Sequence, residues 1–157
     1  MNNEELSEPT EKHELITFSI GDQDFCMDIM LIREIRGWTS VTILPHSPDD
    51  VLGVMNLRGA VVPIVDLSAR LGLGPCTPEA RNVIIIAMMG NQTIGFLVTA
   101  VSDIVGASPG EIQSMPQVGG TETSDFVKGI IASSNRTLRV LNVKALTAAM
   151  IIEPEIA

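Results

Sequence analysis

Tyrosine is absent from this chain, tryptophan occurs once (Trp38), and ten lysines and arginines face nineteen aspartates and glutamates. Nucleic acid needs a cationic stripe for its phosphates and aromatic planes for its bases. A net charge of −9 with so few rings supplies neither, so nucleic acid is not an expected partner. The two cysteines, Cys26 and Cys76, are too few for a disulfide framework, and in a cytosolic setting both are expected to be reduced. No apolar run reaches transmembrane length. The N-terminus carries Glu4, Glu5, Glu8 and Glu11 instead of a basic stretch followed by an apolar one, which does not read as a signal peptide. The expected location is cytoplasmic, without membrane insertion.

Catalytic patterns are equally sparse. None of the three lysines follows a glycine, which removes a phosphate-binding GxxxxGK loop, and neither GxSxG nor HExxH occurs. His13 borders the acidic N-terminus and His46 lies between Pro45 and Pro48, so both read as surface residues. A thiol enzyme would need Cys26 or Cys76 activated by one of them. Cys26 sits in an alternating strand and reads as core, and Cys76 lies in a Gly/Pro loop. The Cys and His spacing does not match a zinc site, and no cofactor is expected. Eight methionines suit adaptable packing or a permissive binding surface. The mean hydropathy of +0.31 suggests apolar surface kept for partners.

What is present centres on residues 53–73. Val54–Leu57 and Ala60–Leu67 are β-branched, apolar runs around Arg58-Gly59, which predicts a hairpin with a two-residue turn and a positive φ at Gly59. Pro63 cannot donate to a ladder, so its strand should be an edge or locally open. Asp66 is placed to cap a short helix that Gly72 ends. Arg58 then stands on the turn tip, either as a solvated charge or as a partner contact on a rigid hairpin.

The remainder also reads as strands. Residues 1–13 are Glu-rich and aperiodic, a disordered tail. Leu15–Ile20 and Phe25–Ile29 form a hairpin about Gly21-Asp22, Met30–Ile35 is ambiguous between helix and strand, and Trp38–Asp50 is a loop. Asn82–Met89 and Thr93–Val98 form a second hairpin about Gly90-Asn91. Residues 107–125 form a long loop, Val127–Ala132 and Thr137–Val143 a last strand pair, and Val143–Ile152 a C-terminal helix.

The chain repeats itself. A shift of 69 places Gly21 on Gly90, Ile32 on Val101, Glu34 on Asp103, Ile35 on Ile104 and Gly37 on Gly106. A shift of 76 places Gly53 on Gly129, Asp66 on Asn142 and Leu67 on Val143, the extra residues falling in the 107–125 loop. Such self-similarity predicts two related β units, each closing with a short helix. Small β units lose their edges by closing into barrels.

Gly53-Val54-Met55-Asn56-Leu57-Arg58-Gly59, followed by Val61-Val62-Pro63-Ile64-Val65-Asp66-Leu67, resembles the signature of the CheW family of bacterial chemotaxis coupling proteins. Ile32-Arg33-Glu34-Ile35-Arg36-Gly37 is similar to a second family segment, and the likeness runs from about Glu14 to Ala148. The resemblance implies an all-β fold of two fused five-stranded SH3-like barrels with short helices. The expected division is 1–13 tail, 14–80 first barrel, 81–150 second barrel and 151–157 tail, with terminal strands able to cross between barrels. It further implies a non-catalytic adaptor, largely monomeric when free, that joins the cytoplasmic signalling tip of a chemoreceptor to the regulatory domain of the histidine kinase CheA. The same surface would serve an adaptor of a non-chemotaxis chemosensory pathway.

The receptor or kinase contacts expected are Ile32, Glu34, Ile35, Leu57, Arg58, Gly59, Val101 and Ile104; the resemblance implies Ile32, Glu34 and Arg58, and the internal repeat adds Val101 and Ile104. Glu34 and Arg58 are expected to pair at the rim of a groove. The other reading of Glu34 is an ion pair with Arg33 or Arg36, or solvation. Val101 and Ile104 line the second barrel's side of the groove or belong to the core. Trp38, before a polar, Pro-rich loop, is expected to be exposed. Thr99 and Asn142 depart from the aspartates common in relatives, and the acidic tail has no clear counterpart among them.

Overall fold

A computed structural model describes residues 12–114, 126–133 and 135–148. The expected disordered tail lies outside these residues up to Glu11, but His13 already opens the first strand. The strands are β1 (His13–Ile20), β2 (Gln23–Asp28), β3 (Ile32–Gly37), β4 (Val51–Leu57), β5 (Ala60–Asp66), β6 (Val83–Met89), β7 (Gln92–Val98), β8 (Ala100–Ala107), β9 (Val127–Ser133) and β10 (Arg136–Leu141). Helix α1 (Leu67–Arg70) follows β5, and α2 (Val143–Ala148) follows β10. The ambiguous Met30–Ile35 divides between two states: Ile29–Leu31 is a single 3-10 turn capped by the Asp28 side chain, and β3 begins at Ile32. Part of the 107–125 loop is ordered as a 3-10 turn at Pro109–Glu111, and residues 149–152 of the expected C-terminal helix lie outside the described residues. Among the described residues no helix is long and apolar enough to cross a membrane.

The strands form two five-stranded sheets, in the orders β9-β10-β2-β1-β8 and β3-β6-β7-β5-β4. The repeat maps one order onto the other, strand for strand. A boundary at residue 80 does not separate the sheets, because each draws strands from both sides of it. The first sheet joins β1 and β2 to β8, β9 and β10, and the second joins β6 and β7 to β3, β4 and β5. The exchange is completed by two equivalent parallel contacts, β10 on β2 (Val140 opposite Cys26) and β5 on β7 (Ile64 opposite Gly95). Pro63 sits where β5 is locally open, since the described pairing with β7 starts at Ile64.

Three cores follow from the alternation. Phe18, Phe25, Met27, Ile85, Phe96, Leu67 and Leu146 pack in a core shared by both sheets. Each sheet also encloses a smaller cluster: Leu15, Cys26, Leu138 and Val140 in the first, and Met55, Val62, Ile64, Ile84, Ile86 and Leu97 in the second. A fully buried Phe, Leu or Ile contributes on the order of 2–3 kcal/mol, so the shared core is the main stabilising mass. Its residues come from both halves.

The repeated glycines have a physical reason. Thr42 bridges Val54 in the second sheet, and Gln113 bridges Ile130 in the first, so a connecting segment crosses each outer hairpin. A Cβ on Gly53 would lie 2.4 Å from the Thr42 carbonyl oxygen, and one on Gly129 would lie 2.5 Å from Ile112 Cγ2. Only a bare Cα lets the crossing segment approach. The capping prediction holds at both places: Asp66 Oδ1 accepts from Ala69 N at 3.3 Å, and Asn142 Oδ1 accepts from Ala145 N at 3.1 Å.

Candidate partner-binding site

Arg58 and Gly59 form the β4–β5 turn, with Leu57 opposite Ala60 in register. Both turn residues take positive φ, 52° at Arg58 and 89° at Gly59, and Asn56 Oδ1 accepts from Gly59 N at 2.8 Å. This is a type I′ turn, which matches the twist of the flanking strands. Only the glycine's φ was expected from the sequence. A left-handed arginine costs about 1–2 kcal/mol, which asparagine or glycine would largely avoid. Arginine at this position is therefore placed against backbone preference, and its side chain is 70% exposed.

β3 is an outer strand of the second sheet and brings Glu34 to the same tip. Arg58 Nη2 lies 2.5 Å from Glu34 Oε1, and Arg36 Nη1 lies 2.9 Å from Glu34 Oε2. The expected pair and one of its alternatives thus coexist, one guanidinium on each carboxylate oxygen. Hydrogen bonds from Arg58 first and then Arg36 hold the Glu34 carboxyl below its ordinary value. Arg33 turns elsewhere, with Nη1 3.0 Å from Met88 Sδ. A shallow groove of about 280 Å³ beside the pair is lined by Arg33, Leu57, Arg58, Ala60 and Met88, among others.

The other anticipated residues distribute unequally. Ile35 is 43% exposed on β3, next to Glu34, and Gly59 is exposed at the tip. Leu57 packs partly against the core of its own sheet, and Ile32 partly against the shared core. Val101, the counterpart of Ile32, also packs on the shared core, whereas Ile104 is 52% exposed. Both lie on β8, an outer strand of the other sheet, so Glu34, Leu57, Arg58 and Gly59 gather at the β3 rim and its neighbouring hairpin, with Ile35 on the opposite face of β3. Trp38 is not free as expected. Its backbone N–H donates to Asn82 O at 3.0 Å and its side chain packs partly on the core of the second sheet.

Cys26 is fully buried, and burial pushes its thiol up to about 12 against the opposing pull of Lys128 and Arg136. Burial also raises the Cys76 thiol, reinforced by Asp66 and Glu79. A raised thiol value works against a thiolate nucleophile at either position.

Fold and site define an all-β protein of two related five-stranded units, with its charge cluster on an outer strand and a hairpin tip. The matching family model is that of the CheW-like domain, over residues 14–150, and the chain belongs to the CheW family. It is 50% identical over 133 residues to the probable chemotaxis protein CheW of Rhizobium etli, covering 85% of this chain and 86% of that one. It is 29% identical over 144 residues to the chemotaxis protein CheW of Klebsiella aerogenes, covering 92% and 87%. Among solved structures, the scaffolding protein TtCheW from Thermoanaerobacter tengcongensis matches with a TM-score of 0.76 at 27% identity, over 83% of this chain and 89% of that one.

Proposed function

We propose that this chain is a chemotaxis adaptor that couples a chemoreceptor's cytoplasmic signalling tip to the regulatory domain of the histidine kinase CheA. The observation that carries this reading is the Glu34 carboxylate held between Arg36 and Arg58 beside the groove that Leu57, Ala60 and Met88 line. A helical hairpin with apolar positions and a polar rim would find there a shallow apolar groove, an oriented carboxylate and an exposed guanidinium. The mechanism is scaffolding: the two partners bind different faces, and control lies in coupled binding equilibria. Affinity per contact is modest, and repeated contacts in an array raise it.

Calorimetric titration against a soluble receptor tip, and separately against the CheA regulatory domain, tests this. Binding to both, with the receptor interaction selectively weakened by Arg58→Glu, is the expected result. Binding to neither refutes the adaptor reading, and binding to both without regard to Arg58 moves the receptor surface elsewhere.

A further inference from the structure

We propose that Arg36 is the positioning residue of the Glu34–Arg58 pair, fixing one carboxylate oxygen so that the other is presented to the hairpin tip. The inference rests on the reading that the pair belongs to the receptor-facing surface. Glu34 and Arg36 are two residues apart on β3, and strand alternation puts them on one side of it. The oxygens are divided between the guanidiniums, Oε2 to Arg36 Nη1 at 2.9 Å and Oε1 to Arg58 Nη2 at 2.5 Å. The Arg36 side chain is 35% exposed and the Arg58 side chain 70%, so the first is the anchored partner and the second the presented one.

Two further features point the same way. Arg36 Nε is buried with no acceptor among the described residues. A buried donor left unpaired is unfavourable, and the arginine keeps that arrangement while its Nη1 sits on the carboxylate. Glu34 also stands opposite Ile86 in the β3–β6 ladder, and an isoleucine offers the carboxylate nothing to bond to. Arg36 is what holds the acid from its own strand. Without it, the Glu34 side chain samples several rotamers and Arg58 loses a pre-set partner, which lowers affinity by the cost of ordering both on binding.

The test compares wild type, Arg36→Gln, Arg36→Lys and Glu34→Gln/Arg36→Gln. The Glu34 carboxyl is titrated by carbon NMR in the free protein, and each variant is titrated calorimetrically with a soluble receptor tip. Arg36→Gln is expected to move the Glu34 titration up toward the ordinary glutamate range and to weaken tip binding roughly fivefold. Arg36→Lys should recover part of both, and Arg36→Gln should add no further loss in the Glu34→Gln background. An unmoved Glu34 titration in both Arg36 variants overturns the proposal, and the lysine variant keeps that outcome readable if the glutamine variant does not fold. A moved titration with tip affinity indifferent to Arg36 and Arg58 alike supports the positioning role and refutes the surface reading instead.

Discussion

Glu34 on β3 and Asp103 on β8 occupy equivalent places in the repeat, but what each meets across its ladder differs. Glu34 opposes Ile86. Asp103 meets Thr17, the counterpart of Ile86, at the irregularity between Ile16 and Phe18. Thr17 is fully buried; its Oγ1 accepts the Asp103 backbone N–H at 3.1 Å and donates to the Asp103 carboxylate. Arg136 stands off at 3.6 Å from Asp103 and 3.7 Å from Asp24. One acid is thus tied to its own sheet by a hydroxyl. The other, with an aliphatic neighbour, reaches across to an arginine on a hairpin tip. The residue across the ladder, an isoleucine in one unit and a threonine in the other, sets whether the acid bonds within its own ladder or to the arginines.

The comparison can be broken at several places. The largest expected effect is at the glycines. Gly53→Ala should cost about 3 kcal/mol in chemical denaturation, because its Cβ would meet the rigid Thr42 carbonyl at 2.4 Å. Gly129→Ala should cost about 2 kcal/mol, since the Ile112 Cγ2 at 2.5 Å is a side-chain atom that can shift and the backbone Gln113 oxygen stands farther off, at 2.9 Å, than the Thr42 oxygen does at Gly53. Equal costs would show that the two crossings are not distinguished by what crosses. Next, Arg58→Glu should weaken receptor-tip binding about thirtyfold, and Arg136→Glu less than about threefold, by calorimetry. Similar losses would mean that both acids face the partner.

Smaller effects sharpen the same contrast. Thr17→Val removes the hydroxyl from the Asp103 N–H and should cost about 1–2 kcal/mol in stability while leaving tip binding unchanged. The pH response should be smallest. Because the folded Glu34 value is lowered, its contribution is complete above the unfolded carboxylate value of about 4.3 and is lost only as pH falls through the folded value. Tip binding by wild type should therefore stay flat from about pH 8 down to the ordinary carboxylate value of about 4.3 and fall only below it, and that fall should be absent in Glu34→Gln.

Much of this was legible in the sequence. The turn glycines and apolar alternation placed most strands, and the paired Asp66 and Asn142 marked both helix starts, because these are local requirements of backbone geometry. Which strands exchange was not legible from the residues, although the family resemblance implied that terminal strands could cross. Alternation says which face of a strand is buried, not which strand lies beside it, and β8 is as compatible with β7 as with β1. The left-handed Arg58 ran against residue preference, and Trp38 packed where its polar neighbours suggested exposure. Arg36 entered the reading only as a competitor for Glu34. Its role depends on which oxygen each guanidinium takes, a matter of ångströms that no spacing encodes.

The exchange of strands has a consequence for how the molecule bears load. The loop between α1 and β6 joins the two halves of the repeat, but it is not a seam. On either side of it, β1 and β2 lie among strands of the later half and β6 and β7 among strands of the earlier half. Pulling the halves apart would require stripping β2 from β10 and β7 from β5, and emptying a core that both halves fill. The two halves of the repeat cannot part without breaking both sheets. A nick in that loop should leave the protein whole, two interlocked fragments still forming one block.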